Sequence, residues 1–191
     1  MTAQSSNARQ QILETASLLF YNKGIQHVGI NEVIAASGVA KRTLYRWFTS
    51  KELLITEVMK YRAQEWLRWF EDAVSAQGIT PKERLLATFD VLREWYSSPN
   101  FRGCPFINAV LEIADASHQA HQVSVDLRES IRQIIVRLAA EAGVNNPEFF
   151  SQQYLLLIGG ASLMATIEHS PNGATYAQST LSVLIDANIG N

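Results

Sequence analysis

The sequence predicts an all-α protein in which three short N-terminal helices precede a larger bundle of long ones. Three observations predict it. Apolar residues recur at helical spacing throughout, and no segment alternates apolar and polar residues at strand period between turn signals. Helix start and stop residues punctuate the chain at helical intervals. The 191 residues are 47% hydrophobic and 18% charged, which provides for a sizeable core and excludes a disordered chain.

The first helix is predicted from about Asn7 to Lys23, with Ile12, Ala16, Leu19 and Phe20 on one face. Lys23 suits the C-terminal dipole and Gly24 can take a left-handed cap. A second helix, Ile30 to Ser37, stops at Gly38, and a third runs from Lys41 to about Phe48. Thr49-Ser50-Lys51-Glu52 reads as a capping box, Thr49 accepting from the Glu52 backbone and the Glu52 carboxylate returning the bond. The helix it opens extends to about Gln77, with Gly78 as its stop. Thr80-Pro81-Lys82-Glu83 is a second box with proline at the first helical position, and its helix reaches about Ser98. Further helices are predicted over about 104–118, 121–142, 147–168 and 174–188; Gly143 ends one, and Asn146-Pro147 starts the next. The chain thus divides at the helix after Thr49, into a domain of residues 1–52 and one of residues 53–191.

Charge follows the same division. Residues 1–60 hold seven Lys/Arg against four Asp/Glu, a net of +3, and the remainder holds nine against fourteen, a net of -5. A basic first third beside an acidic remainder points to a polyanion met by the first third alone. Within it, VGINEVIAASGVAKRTLYRWFTSKELL places two short helices around a turn at Gly38, with Val33, Ile34, Val39, Leu44 and Phe48 as apolar contacts between them. The face left over on the second helix carries Lys41, Arg42, Thr43, Tyr45 and Arg46. A helix fits the major groove, where Arg and Lys bond guanine edges and hydroxyls bond phosphates, so this is a helix-turn-helix with Lys41–Phe48 as recognition helix.

The run Gly38-Val39-Ala40-Lys41-Arg42-Thr43-Leu44-Tyr45-Arg46-Trp47-Phe48 with Ser50-Lys51-Glu52 resembles the DNA-binding signature of TetR-family transcriptional regulators. The resemblance is strong over about residues 9–55, and Arg102-Gly103-Cys104-Pro105-Phe106-Ile107-Asn108 is similar to a string seen in a subset of them. It implies an N-terminal helix-turn-helix DNA-binding domain and a C-terminal helical bundle that binds a small effector and dimerises. By position, Lys41, Arg42 and Arg46 are implied base or phosphate contacts, Thr43 and Tyr45 phosphate contacts, and Lys51 an added charge at a helix N-terminus. Gly29 and Ala40 stand where a Thr and a Ser are frequent, so two cap bonds and two hydroxyl contacts are missing. Trp47 replaces a frequent His or Tyr; its indole is expected to pack, with a phosphate contact as the alternative.

In the larger domain, nine of the chain's eighteen aromatics lie between Tyr61 and Phe106. Such a stripe is core by default; the resemblance implies an effector site among these helices, mostly apolar with a few polar groups. The candidates are Arg62, Trp66, Trp69, Phe70, Phe89, Phe106, Asn108 and His169, with Glu112 a further polar candidate, for a hydrophobic or aromatic effector. Tyr154 to Ile167 is apolar nearly all round, so its helix is expected to be buried on more than one side, and Gly159-Gly160 within it invites the close approach of another backbone. The resemblance implies that helices 147–168 and 174–188 form a two-fold four-helix interface, a homodimer that also suits a palindromic operator.

Other chemistry is weakly signalled. No nucleophile motif, phosphate-cradling glycine loop or cofactor fingerprint is present, so neither an enzyme nor a cofactor is expected. His118 and His121, near Asp115, fall at a helix break and are expected in a solvated turn rather than on a metal. Cys104, the single cysteine, is expected to pack and excludes a disulfide framework within the monomer. The N-terminus lacks the pattern of a signal peptide, and Tyr154–Ile167 falls short of the ~20 residues that cross a bilayer, so a cytoplasmic protein without membrane partners is expected. The expected function is a repressor that binds operator DNA as a homodimer and is released by a small effector. Its rivals are a regulator without a ligand and a helical enzyme or carrier with a vestigial DNA module.

Overall fold

The computed structural model describes residues 3–77 and 79–189. Those residues form helices α1 (Ala3–Lys23), α2 (Ile30–Ser37), α3 (Lys41–Trp47), α4 (Lys51–Gln77), α5 (Pro81–Tyr96), α6 (Pro105–Ile113), α7 (Gln119–Glu141), α8 (Pro147–Glu168) and α9 (Asn172–Asn188), with no strand among them. They assemble into two compact units. One comprises the chain to Glu65 together with Pro105–Asp126; the other comprises Trp66–Cys104 together with the chain from Leu127. α4 and α7 each contribute to both.

Most helix ends follow from their neighbours in sequence. Gly24, Gly38 and Gly143 take positive φ at the ends of α1, α2 and α7, as a residue without Cβ does readily. Thr80 Oγ1 accepts from Glu83 N at 3.2 Å while the Glu83 carboxylate accepts from Thr80 N at 2.8 Å, the reciprocal box expected for α5. These backbone bonds hold the Glu83 carboxyl below the usual carboxylate range. Asn146 caps α8 through Phe149 N, with Pro147 at the first helical position.

Four expectations need correction. The cap of α4 is Ser50 rather than Thr49: Ser50 Oγ accepts from Leu53 N at 3.1 Å, so the hydroxyl one residue later takes the role. The helix expected over 104–118 stops at Ile113, because Ala114 turns to φ 51° and the Asp115 carboxylate accepts from both Ser117 N and Ser117 Oγ. α7 begins at Gln119, capped by His118, whose Nδ1 accepts from Ala120 N at 3.0 Å. α8 is not buried on several sides of the single chain, since Phe149, Leu156, Leu163 and Ile167 are all exposed along it. Gly78, the expected stop of α4, lies outside the described residues.

The first unit packs α1 against α2 and α3. Ile12, Leu13, Ala16 and Phe20 of α1 are buried with Val28, Val33, Leu44 and Phe48, and Leu54, Ile55, Val58 and Met59 of α4 complete this core. In the second unit α9 lies along α8 and α5. Its core centres on Leu85, Phe89, Phe150, Tyr154, Leu181 and Ile185, and the buried Tyr154 Oη donates to Leu85 O at 2.6 Å. Within the chain it is Gly173, not the Gly159-Gly160 pair, that admits a close helix approach. A Cβ at Gly173 would lie 2.8 Å from Ala161 O, whereas one at Gly159 or Gly160 would meet nothing within 4 Å. Gly173→Ala is therefore expected to destabilise the protein by about 1–3 kcal/mol, as overpacking does, lowering the urea midpoint without changing the denaturant slope.

Candidate nucleic-acid interface

The helix pair α2–α3 turns at Gly38, whose φ of 66° and N–H bond to Ile34 O at 3.1 Å close α2. Ala40 then starts α3 in extended geometry, with Thr43 N and Leu44 N bonding Ala40 O. Neither Gly29 nor Ala40 supplies a side-chain cap, as their residue types require. Val33, Leu44 and Phe48 are buried, while Ile34 and Val39 are half-buried. Two long-range contacts brace the pair. Gln11 Nε2 donates to Ser37 O at 2.8 Å, tying α1 to the last residue of α2. Arg9 pairs with Glu57 at 2.6 Å and lies 5.8 Å from the Phe48 ring centre, tying α1 to α4 over the end of α3. Sequence reasoning missed Gln11, Arg9 and Glu57, because each bond joins residues far apart in the chain.

The candidate DNA contacts all lie on one short stretch. Lys41, Arg42, Tyr45 and Arg46 are exposed, and Thr43 is half-buried beside them. No carboxylate pairs with Lys41, Arg42 or Arg46 among the described residues, so the face keeps its positive charge. Lys41 Nζ lies 6.0 Å from the Tyr45 ring centre and the Arg46 guanidinium 5.9 Å from that of Trp47, which extends both cations over aromatic surface. Trp47 is half-buried, and its Nε1 is enclosed without a hydrogen-bond partner. Lys51 opens α4 beside Glu52, whose carboxyl is held below its ordinary value by backbone hydrogen bonding and by Ser50. The arrangement presents cations, a phenol and a hydroxyl on a helix narrow enough for a major groove.

The eight effector candidates are divided between the two units. Arg62 and Asn108 line a small pocket in the first unit, walled by Phe20, Val58 and Met59 and bordered by Glu112; its empty volume of about 360 Å³ includes open solvent. There Arg62 Nη1 donates to Ser17 Oγ at 2.9 Å and Ser17 O at 3.2 Å, and its guanidinium lies 4.7 Å from the Tyr21 ring centre. Phe106 is buried on α6 in that unit. In the second unit Trp66 stacks on Phe70 at 4.9 Å and meets Trp69 and Trp95 edge-on at 6.0 and 6.4 Å, a cluster continued by Phe101 and Tyr96. Tyr96 Oη is buried beside Ser162, without a well-formed hydrogen bond among the described residues. Burial pushes its pKa well up, with Ser162 opposing. Phe89 pairs instead with Tyr154 at 5.6 Å. His169 is exposed and ends α8 in left-handed geometry. Among the described residues no three His, Cys, Asp or Glu side chains gather as metal ligands, and no helix is long and apolar enough to cross a membrane.

Comparison with known proteins agrees with this geometry. The sequence model of the family described as "Bacterial regulatory proteins, tetR family" matches residues 12–58, the span from α1 into α4. A TetR transcriptional regulator from Streptomyces avermitilis of known structure is similar to the chain at a TM-score of 0.83 and 28% identity, covering 95% of this chain and 97% of its own. The HTH-type transcriptional regulator YjdC of Escherichia coli is 23% identical over 152 residues, 80% of each chain. An HTH-type transcriptional repressor of Mycolicibacterium smegmatis is 24% identical over 87 residues, 46% of this chain and 42% of its own. With a helix-turn-helix pair held on α1, a cationic face on α3 and this all-helical frame, the chain has the fold of TetR-family transcriptional regulators, and its residues 12–58 match the sequence model of that family.

Proposed function

We propose that the protein is a cytoplasmic repressor that binds a palindromic operator as a homodimer and is released by a small hydrophobic or aromatic effector. Residues 1–52 are its DNA-reading part and residues 53–191 its effector and dimer part. The observation that carries the DNA reading is the face of α3, where Lys41, Arg42 and Arg46 stand exposed without carboxylate partners among the described residues, on a helix whose other side is buried. In this reading Lys41, Arg42 and Arg46 reach bases or phosphates, Thr43 and Tyr45 bond phosphates, and Lys51 adds charge where free backbone N–H groups favour an anion.

The dimer reading is supported by the exposed apolar residues of the second unit. Phe149, Leu156 and Leu163 follow one another at seven-residue steps on α8, as Tyr176 and Val183 do on α9. A monomer rarely leaves such stripes in water, and a two-fold mate covers them. The bare surface at Gly159 and Gly160 leaves room for a partner's backbone. Two such protomers would offer recognition helices about 34 Å apart, one turn of DNA. The effector reading is supported by the aromatic cluster around the buried Tyr96 in the second unit, and by the pocket beside Arg62 and Asn108 in the first.

Selection of the protein on random-sequence duplex DNA at near-physiological salt is expected to enrich an inverted repeat. Against that operator, Lys41→Ala with Arg42→Ala is expected to weaken binding at least tenfold, each lost bidentate contact costing about 1–3 kcal/mol. The salt dependence should flatten by about one for each phosphate contact removed. Unchanged binding would show that α3 does not read DNA. Leu156→Asp with Leu163→Asp is expected to give a folded monomer by light scattering and to weaken operator binding. A small-molecule panel followed by thermal shift is expected to yield an aromatic stabiliser that also lowers operator affinity; a panel without one would count against the effector.

A further inference from the structure

We propose that Glu112, on the last turn of α6, is a positioning residue for DNA reading: its carboxylate locks the turn that leads from α1 into α2. Glu112 Oε2 accepts from Ile25 N at 2.6 Å and lies 3.4 Å from Gln26 N. Gln26 Nε2 in turn donates to Glu112 O at 3.3 Å. One turn therefore grips both the side chain and the main chain of one residue on α6. A short bond from a backbone N–H to an ionised carboxylate is among the stronger hydrogen bonds available to a protein.

Two further observations make this contact decisive for the placement of α2. Gly24, at φ 89°, leaves the space the carboxylate occupies, since a Cβ there would lie 3.0 Å from Glu112 Oε2. The other directional contact at the entrance to α2 is the Lys23–Glu32 pair at 2.6 Å, a solvent-exposed ion pair of the kind that holds a path weakly. Gly29 offers no cap, and a Cβ built on it meets nothing within 4 Å. Buried Ile25 and Val28 fix the depth of the segment, and apolar burial without a directional bond leaves its path along the surface loose. The Glu112 bond supplies that direction. A shift of α2 is passed to α3, because only Gly38, Val39 and Ala40 separate the two helices.

The proposal rests on the reading of α2–α3 as the DNA-binding pair, and charge gives it a sign of its own. Removing a negative charge from the unit that meets a polyanion would by electrostatics alone tighten binding. A lock predicts the reverse. Glu112→Gln keeps an acceptor oxygen at the same reach, Glu112→Asp keeps the charge but falls one methylene short, and Glu112→Ala removes both. Affinity for the operator recovered by selection is expected to fall at least about fivefold in the Asp and Ala variants, the lower end of measured site-to-site couplings. It should fall least in the Gln variant, and the slope with salt should stay unchanged, since Glu112 touches no phosphate. Amide exchange at Ile25 should speed up in the Asp and Ala variants. Circular dichroism of the Gln and Asp variants separates loss of the lock from loss of the fold. An Asp variant that binds like the wild type, an Ala variant that binds more tightly, or unchanged exchange at Ile25 overturns the lock. A wild type that enriches no sequence overturns the DNA reading and, with it, the role of Glu112 in it.

Discussion

A helix of seven residues is too short to hold itself, because closing its first turn fixes more dihedral angles than the hydrogen bonds gained can offset. α3 is such a helix, and its existence depends on burying Leu44 and Phe48, four residues apart on one stripe, in the core that α1 provides. The same anchoring decides which way the helix faces. With 44 and 48 turned inward, positions 41, 42, 45 and 46 have no choice but the solvent side. The Arg9–Glu57 pair adds at most about 1 kcal/mol at its partial exposure. Its value is geometric, since it clamps α1 to α4 across the Phe48 ring.

What could be read in the sequence was what neighbouring residues decide among themselves. Gly38, the Thr80–Glu83 box and the Asn146-Pro147 start all act within about four residues, and the helices they bound lie close to where their signals put them. Errors arose where two adjacent residues compete for one role. Thr49 and Ser50 both carry a cap hydroxyl, and only backbone direction selects Ser50. The helix predicted over 104–118 takes in Asp115, yet that carboxylate accepts from Ser117 and ends the run.

The rest was hidden because it is not periodic. Glu112 and Ile25 are 87 positions apart, and Arg9 and Glu57 are 48 apart. A paired glycine drew attention in α8 while the lone Gly173 makes the close approach. The aromatic-rich segment illustrates the same limit. Its density in sequence was plain, but the break between Cys104 and Pro105 assigns Phe106 and Asn108 to one unit and Trp95, Tyr96 and Phe101 to the other. The DNA-contact candidates escaped this scattering, since all but Lys51 sit on a single helix and share its face by local geometry.

The placement of the tryptophans gives the molecule two separate optical voices. Trp66, Trp69 and Trp95 lie with ring centres 6.0 to 6.4 Å apart, close enough for excitation absorbed by one indole to pass among all three before it is emitted. They glow as a single antenna belonging to the second unit. Trp47 belongs to the first unit and sits beside the Arg46 guanidinium at the end of α3, so its emission answers to the charge and wetness of the cationic helix. Replacing either set with phenylalanine leaves a protein whose tryptophan emission reports on one unit alone.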